Sequence, residues 1–178
     1  MKYTLRRPSC LGCPHNLHFG DFVPKKQYGV MMHTGEHYCT GGKRARRFKR
    51  GDPKIAVPQW CPKRKNPCEL RIYELKSVQD RQMFLCLSGD PDDPHYISEY
   101  RYALASSAKI ELTPQEFGGR CQNEPYEELL GVNPPLYSVV EIDDGLAPAF
   151  FYKTAEGLKL APYFRAEKAR ANRMEETV

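Results

Sequence analysis

Apolar and polar positions change rhythm three times along this chain. From residue 28 to residue 40, Tyr28-Gly29-Val30-Met31-Met32-His33 and Glu36-His37-Tyr38-Cys39 flank Thr34-Gly35, a pattern that predicts two short strands around a turn. Leu70-Arg71-Ile72-Tyr73-Glu74-Leu75 alternates apolar and charged residues, so it predicts a strand and sets a domain boundary at about residue 76. The rhythm then becomes helical. Residues 77 to 87 predict a helix with Ser77 as N-cap and Ser88-Gly89 at its end, and the loop Asp90-Pro91-Asp92-Asp93-Pro94 follows. Asp93 caps and Pro94 opens a second helix, with Ile97, Tyr100, Leu104 and Ala108 on one face.

Thr113-Pro114-Gln115-Glu116 has the form of a capping box, in which hydroxyl and carboxylate each take up a free backbone N–H, so a short helix to about Gln122 is expected. Residues 125 to 130 add a turn or two, closed by Gly131. Residues 136 to 142, 149 to 153 and 158 to 163 predict three strands, the first two joined around Asp143-Asp144-Gly145, and residues 164 to 174 a polar helical tail. The expected fold class is α+β: an N-terminal Cys-rich, zinc-tied module over residues 1 to 76, then an acidic segment over 77 to 178 with short helices and a C-terminal antiparallel β-meander.

Charge sharpens that division. Residues 1 to 76 hold 17 Lys and Arg against 5 Asp and Glu, a balance of +12, while residues 77 to 178 hold 10 against 17, a balance of −7. Opposed halves of this kind either attract each other or present separate faces to a polyanion and to a basic partner. No apolar run approaches the roughly 20 residues that cross a bilayer, and the start Met1-Lys2-Tyr3-Thr4-Leu5-Arg6-Arg7 lacks the apolar stretch of a signal peptide, so a reduced cytosol is the expected compartment.

Cysteine placement turns the basic half into candidate chemistry. Five of the seven cysteines (Cys10, Cys13, Cys39, Cys61, Cys68) and four of the five histidines (His15, His18, His33, His37) fall between residues 10 and 68. An odd count in a reduced compartment favours metal ligation over disulfides. In Cys10-Leu11-Gly12-Cys13-Pro14 two cysteines three apart surround a glycine, the form of a zinc knuckle, whose turn lets two thiolates converge on one ion. A redox CxxC opens a helix; here Pro14, histidines and Gly20 follow without helical period. Cys39 and Cys61 complete the expected ligand set, with Cys68 and His37 as alternates for the fourth place, and Trp60 would cover the ion. Four thiolates leave no open position for water, so Zn2+ would be structural. His15 and His18 read as a polar loop and His33 as a strand residue.

Between Cys39 and Cys61, six of the eight residues Lys43, Arg44, Ala45, Arg46, Arg47, Phe48, Lys49 and Arg50 are basic, and Lys63, Arg64 and Lys65 add a second cluster. Such a segment attracts nucleic acid or a nucleoprotein, because neutralised phosphates release counterions, and Phe48 would stack on an exposed base. Should the partner be basic instead, Asp90, Asp92, Asp93, Glu127 and Glu128 become the contact surface.

Catalysis finds less support. Glu141, Asp143 and Asp144 suggest a Mg2+-dependent nuclease, yet Asp-Asp-Gly is ordinary hairpin-turn chemistry. Cys86 sits in the apolar run Met83-Phe84-Leu85-Cys86-Leu87 and reads as core, and Cys121 has no obvious base beside it. No phosphate-binding glycine loop is present. A non-enzymatic binding protein is expected.

The motifs Cys10-Leu11-Gly12-Cys13-Pro14, Tyr38-Cys39, Trp60-Cys61-Pro62 and Leu70-Arg71-Ile72-Tyr73 resemble a zinc-binding family of no established activity, carried on prophages and mobile elements of clostridia and their relatives. Tyr102-Ala103-Leu104-Ala105, Leu112-Thr113-Pro114-Gln115-Glu116-Phe117 and Val139-Val140-Glu141-Ile142-Asp143-Asp144-Gly145 extend the likeness over most of the chain. The resemblance implies a protein of phage or element maintenance, or an anti-CRISPR inhibitor related to those that act on a Cas9–guide RNA complex.

Overall fold

The computed structural model describes residue 5 and residues 8–19, 22–25, 30–33, 36–49, 51–52, 56–87 and 90–174. The chain forms two compact units: Arg7–Arg64, and Lys65–Val178 together with Met1–Arg6. The division falls at residue 64 rather than 76, because the strand Cys68–Leu75 belongs to the larger unit's sheet, where it has a partner on each side.

In the larger unit that strand, β6, pairs antiparallel with β7 (Tyr102–Ile110) and with β8 (Val139–Asp143). Strands β9 (Ala149–Thr154) and β10 (Gly157–Leu160) extend the sheet to the order β10-β9-β8-β6-β7. The expected meander is therefore present as three of its five strands. Successive residues point to opposite faces, and both faces are covered. On one face Tyr73, Val139 and Tyr152 pack with Phe84 of helix α1 (Val78–Leu87), with Phe164, and with Ala166 and Ala169 of helix α4 (Ala166–Ala171). On the other, Leu70, Val140, Ile142 and Phe151 pack with Phe117 of helix α2 (Pro114–Arg120) and Leu130 of helix α3 (Tyr126–Leu130). This double cover explains why β8 reads Val-Val-Glu-Ile rather than alternating.

Local signals locate the ends of these elements. Ser77 Oγ accepts the Asp80 N–H at 2.9 Å, and Thr113 and Glu116 close the capping box. Gly131 ends α3 at φ 68°, a left-handed angle that costs glycine nothing. Asp143 Oδ1 accepts the Gly145 N–H, and Asp144 Oδ1 those of Leu146 and Ala147, so Asp-Asp-Gly is turn chemistry. The helix expected after Pro94 is not there. Asp93 does cap a turn of 3-10 helix, Pro94–Tyr96, and a second covers Glu99–Arg101, but residues 102 to 110 are β7. Apolar residues at helical spacing were outweighed by pairing with β6, a contact that local periodicity does not reveal. Cys86, expected in the core, is exposed on α1.

One buried ionic group interrupts the apolar face. Glu141, 1% exposed, accepts from Arg71 at 2.8 Å, from Arg170 at 2.5 and 2.7 Å, and from the Tyr73 hydroxyl at 2.5 Å. It ties β6, β8 and α4 together. Burial and the Glu141 carboxylate both push the Tyr73 phenol up; burial opposes the Arg170 charge, but Glu141 and Tyr73 outweigh it. Burial would also raise Asp143, yet the Lys65 ammonium at 2.7 Å, the Gly145 N–H and Arg71 hold it below its ordinary value.

Among the described residues no helix is long and apolar enough to cross a membrane.

Two predictions follow from the ionic group. Glu141→Ala leaves the Arg170 guanidinium without its counter-ion, takes from Arg71 one of three carboxylate partners, and is expected to cost about 3 kcal/mol in urea unfolding. A carboxyl held below its ordinary value stabilises the fold above about pH 4, and that contribution is lost as pH falls through its folded value. Lys65→Met should therefore reduce the loss of stability seen between neutral and strongly acid pH, measured as the urea midpoint against pH.

Candidate metal centre

The Arg7–Arg64 unit begins with the knuckle. Cys13 donates its N–H to the Cys10 carbonyl at 3.1 Å, and Asn16 closes the turn by donating its backbone N–H to Cys13 O and its side-chain amide to Cys10 O. Residues 16 to 19, expected as part of a polar loop, form strand β1 (Asn16–Phe19). It pairs antiparallel with β4 (Glu36–Cys39), in a register that sets Asn16 opposite Cys39 and so carries the third cysteine back beside the knuckle. Strands β2 (Phe22–Lys25) and β3 (Val30–His33) form a separate pair, so β3 and β4 are not hairpin partners; Thr34 and Gly35 lie outside the described residues. The fourth cysteine sits in its own turn, where Cys61 donates to Pro58 O at 3.1 Å and accepts from Arg64 N at 3.0 Å.

Cys10 lies within electrostatic reach of the other three cysteines. Burial first, and then the negative charge that Cys61, Cys13 and Cys39 would carry, pushes the Cys10 thiol up to about 11. A Cβ added to Gly41 would lie 3.6 Å from Cys39 Sγ and 3.5 Å from His15 Cγ, so the chain turns close over that sulfur. The thiols are neighbours without forming a closed shell: among the described residues no three His, Cys, Asp or Glu side chains are grouped tightly enough to hold an ion as they stand. The donor set itself suits Zn2+, a borderline-soft ion that takes four thiolates tetrahedrally. Zinc held by Cys10, Cys13, Cys39 and Cys61 would join the knuckle, the end of β4 and the 58–61 turn.

The two alternates have partners of their own. Cys68, 2% exposed, is the first residue of β6 and lies in the larger unit's core with Leu70 and Ile110. His37, 6% exposed, has Nδ1 3.2 Å from Asn16 Oδ1, and its ring meets those of His18 and Phe48.

The basic segment is more ordered than a charged loop. Arg46–Arg47 forms strand β5, antiparallel to β4, with Cys39 opposite Arg46 and Tyr38 opposite Arg47. Phe48, expected on the surface, is 7% exposed: its ring meets Trp60 edge-on at 5.1 Å and its N–H donates to His37 O. It anchors the strip, because a buried phenyl contributes about 2 kcal/mol or more that exposure would forfeit. Arg46 lies 4.2 Å over the Trp60 ring, Arg47 pairs with Glu36, and the Asp52 carboxylate accepts from Lys49 N at 2.8 Å. Lys43, Arg44, Arg46, Arg47 and Lys49 all remain exposed, as does Lys63; Arg50 lies outside the described residues. Arg64 donates to Val57 O, and Lys65 is engaged in the larger unit by Asp143 and Glu69.

The carboxylates that suggested a nuclease have other work. Glu141 and Asp143 are held by Arg71, Arg170 and Lys65, and Asp144 is 1% exposed in its turn. The Phe48–Trp60–His37 cluster and the Glu141 group went unseen in the sequence, where a lone aromatic among cations and an acid among valines give no sign of their partners. No protein-family model, curated protein or solved structure matches the chain.

Proposed function

We propose that Arg7–Arg64 is a zinc-stapled module that holds a basic strip against a polyanion, namely nucleic acid either free or in a nucleoprotein such as a Cas9–guide RNA complex. The observation that carries this reading is the construction of the strip: β5 is hydrogen-bonded to the strand that ends in Cys39, Phe48 is buried beneath it, and the cations around both face solvent. Ordering cations in advance removes part of the entropy lost when a flexible charged loop closes on phosphates. Nothing in the strip selects a base, and Phe48 is not available for stacking, so binding rests on charge and is independent of sequence. Zinc supplies fold rather than chemistry: bound to four thiolates it fixes both flanks of the strip. An inhibitor carried on a mobile element would use such a strip to occupy an effector's nucleic-acid path or the nucleic acid itself.

The combined variant Lys43→Ala, Arg44→Ala, Lys49→Ala should weaken gel shift of labelled single- and double-stranded DNA and RNA at low salt without discriminating among them. Losing three phosphate contacts should also flatten the slope of log affinity against log salt by about 3. Wild-type protein that shifts none of these probes and leaves Cas9 cleavage unaffected would overturn the reading. For the staple, Cys39→Ser should raise protease susceptibility across residues 7 to 64 while leaving the sheet of the larger unit resistant, measured by limited proteolysis with mass mapping.

A further inference from the structure

The two edges of the five-stranded sheet differ. At one edge β10 has four residues, Gly157–Leu160, and a short edge is a common defence against unwanted pairing. At the other, β7 has nine, and among the described residues no strand pairs with its outer side. Its beginning is guarded: Tyr102 is buried, and Asn172, just past α4, donates its side-chain amide to the carbonyls of Tyr100 at 3.0 Å and Tyr102 at 2.7 Å. That guard ends there. Residues 104 to 109 are all exposed, so neither face of the strand is covered, and a groove of about 400 Å3 bounded by Glu69, Leu70, Arg71, Ser107, Ala108 and Lys109 opens beside them.

A bulge fixes how much of this edge can take a strand. Ile72 stands opposite Ser106 and Tyr73 opposite Leu104, which leaves Ala105 outside the ladder. Beyond it the pairing is regular from Ser106 to Ile110, with Ala108 at its middle. Beyond the bulge this run lacks proline, and its one charge, Lys109, lies 3.6 Å from Glu69 of the same sheet, which offsets it.

We propose that the open edge of β7 pairs antiparallel with the same edge of a second copy of this chain, about a two-fold axis at Ala108, to give a continuous ten-stranded sheet. A two-fold contact must be complementary to itself, and this segment is. In that register Ala108 faces Ala108 of the second copy, Ser107 faces Lys109, and Ser106 faces Ile110. No like charges stand opposite one another, and the residues at the axis are small enough for close approach. A partner's extended strand would need only the edge; a second copy uses the edge and its symmetry. A five-residue ladder is a small contact, so the dimer forms in proportion to concentration.

Sedimentation equilibrium of the full chain should show twice the mass of one chain at submillimolar concentration, dissociating on dilution. Ala108→Glu, an exposed position, should leave the thermal transition in place and keep the protein at one-chain mass throughout, because it sets two carboxylates face to face. Under mild oxidation Ala108→Cys should form an inter-chain disulfide at residue 108, mapped by mass spectrometry, whereas Ala105→Cys in the bulge should not. A wild-type chain that stays monomeric leaves the edge to some other strand and overturns the proposal, as does a dimer that survives Ala108→Glu or crosslinks equally at both positions.

Discussion

A unit as small as Arg7–Arg64 ordinarily needs disulfides or a metal beside its apolar burial. Among the residues of the unit whose burial is described, Cys10, His37, Phe48 and Pro58 are buried. The thiols of Cys10, Cys13, Cys39 and Cys61 stand where such a staple would act, between a knuckle, a strand end and a proline-flanked turn. The basic strip inherits its geometry from that arrangement, since β5 is paired to the strand that ends in Cys39 and Phe48 lies against Trp60, the neighbour of Cys61. In the proposed reading, loss of a metal staple would let the mutual repulsion of these cations open the unit.

The larger unit solves its stability problem differently. Its sheet is covered on both faces, with Tyr73, Phe117, Phe151 and Tyr152 each no more than 2% exposed. The buried Glu141 costs desolvation, and the two guanidinium groups and one hydroxyl around it offset that cost only while all remain in place. Such a cluster fixes the register of β6 against β8 and the seat of α4, because sliding any one of them would strand a charge.

Signals contained within a few residues were legible in the sequence. Ser77, Asp93, Thr113 with Glu116, Gly131 and Asp143-Asp144-Gly145 each end or cap an element through hydrogen bonds to near neighbours, and each does so in the structure. Contacts between distant segments were not. Residues 97 to 108 carry apolar positions at helical spacing, yet from Tyr102 onward they pair with β6, a strand far earlier in the chain. Phe48 was misplaced for the same reason, since nothing near it in sequence shows that Trp60 and His37 wait to bury it. Cys68, an alternate for the fourth ligand place, packs in the sheet's core because its strand belongs to the sheet, which its spacing from the other cysteines does not show.

The central claim is that thiolates and a metal do for the small unit what an apolar core does for the large one. X-ray absorption at the zinc edge, on protein purified under reducing conditions and quantified for metal, tests it most directly. The account predicts about one zinc per chain with four sulfur ligands at about 2.3 Å. Metal-free protein whose 7–64 segment is nonetheless folded, or zinc bound through oxygen and nitrogen, would contradict it.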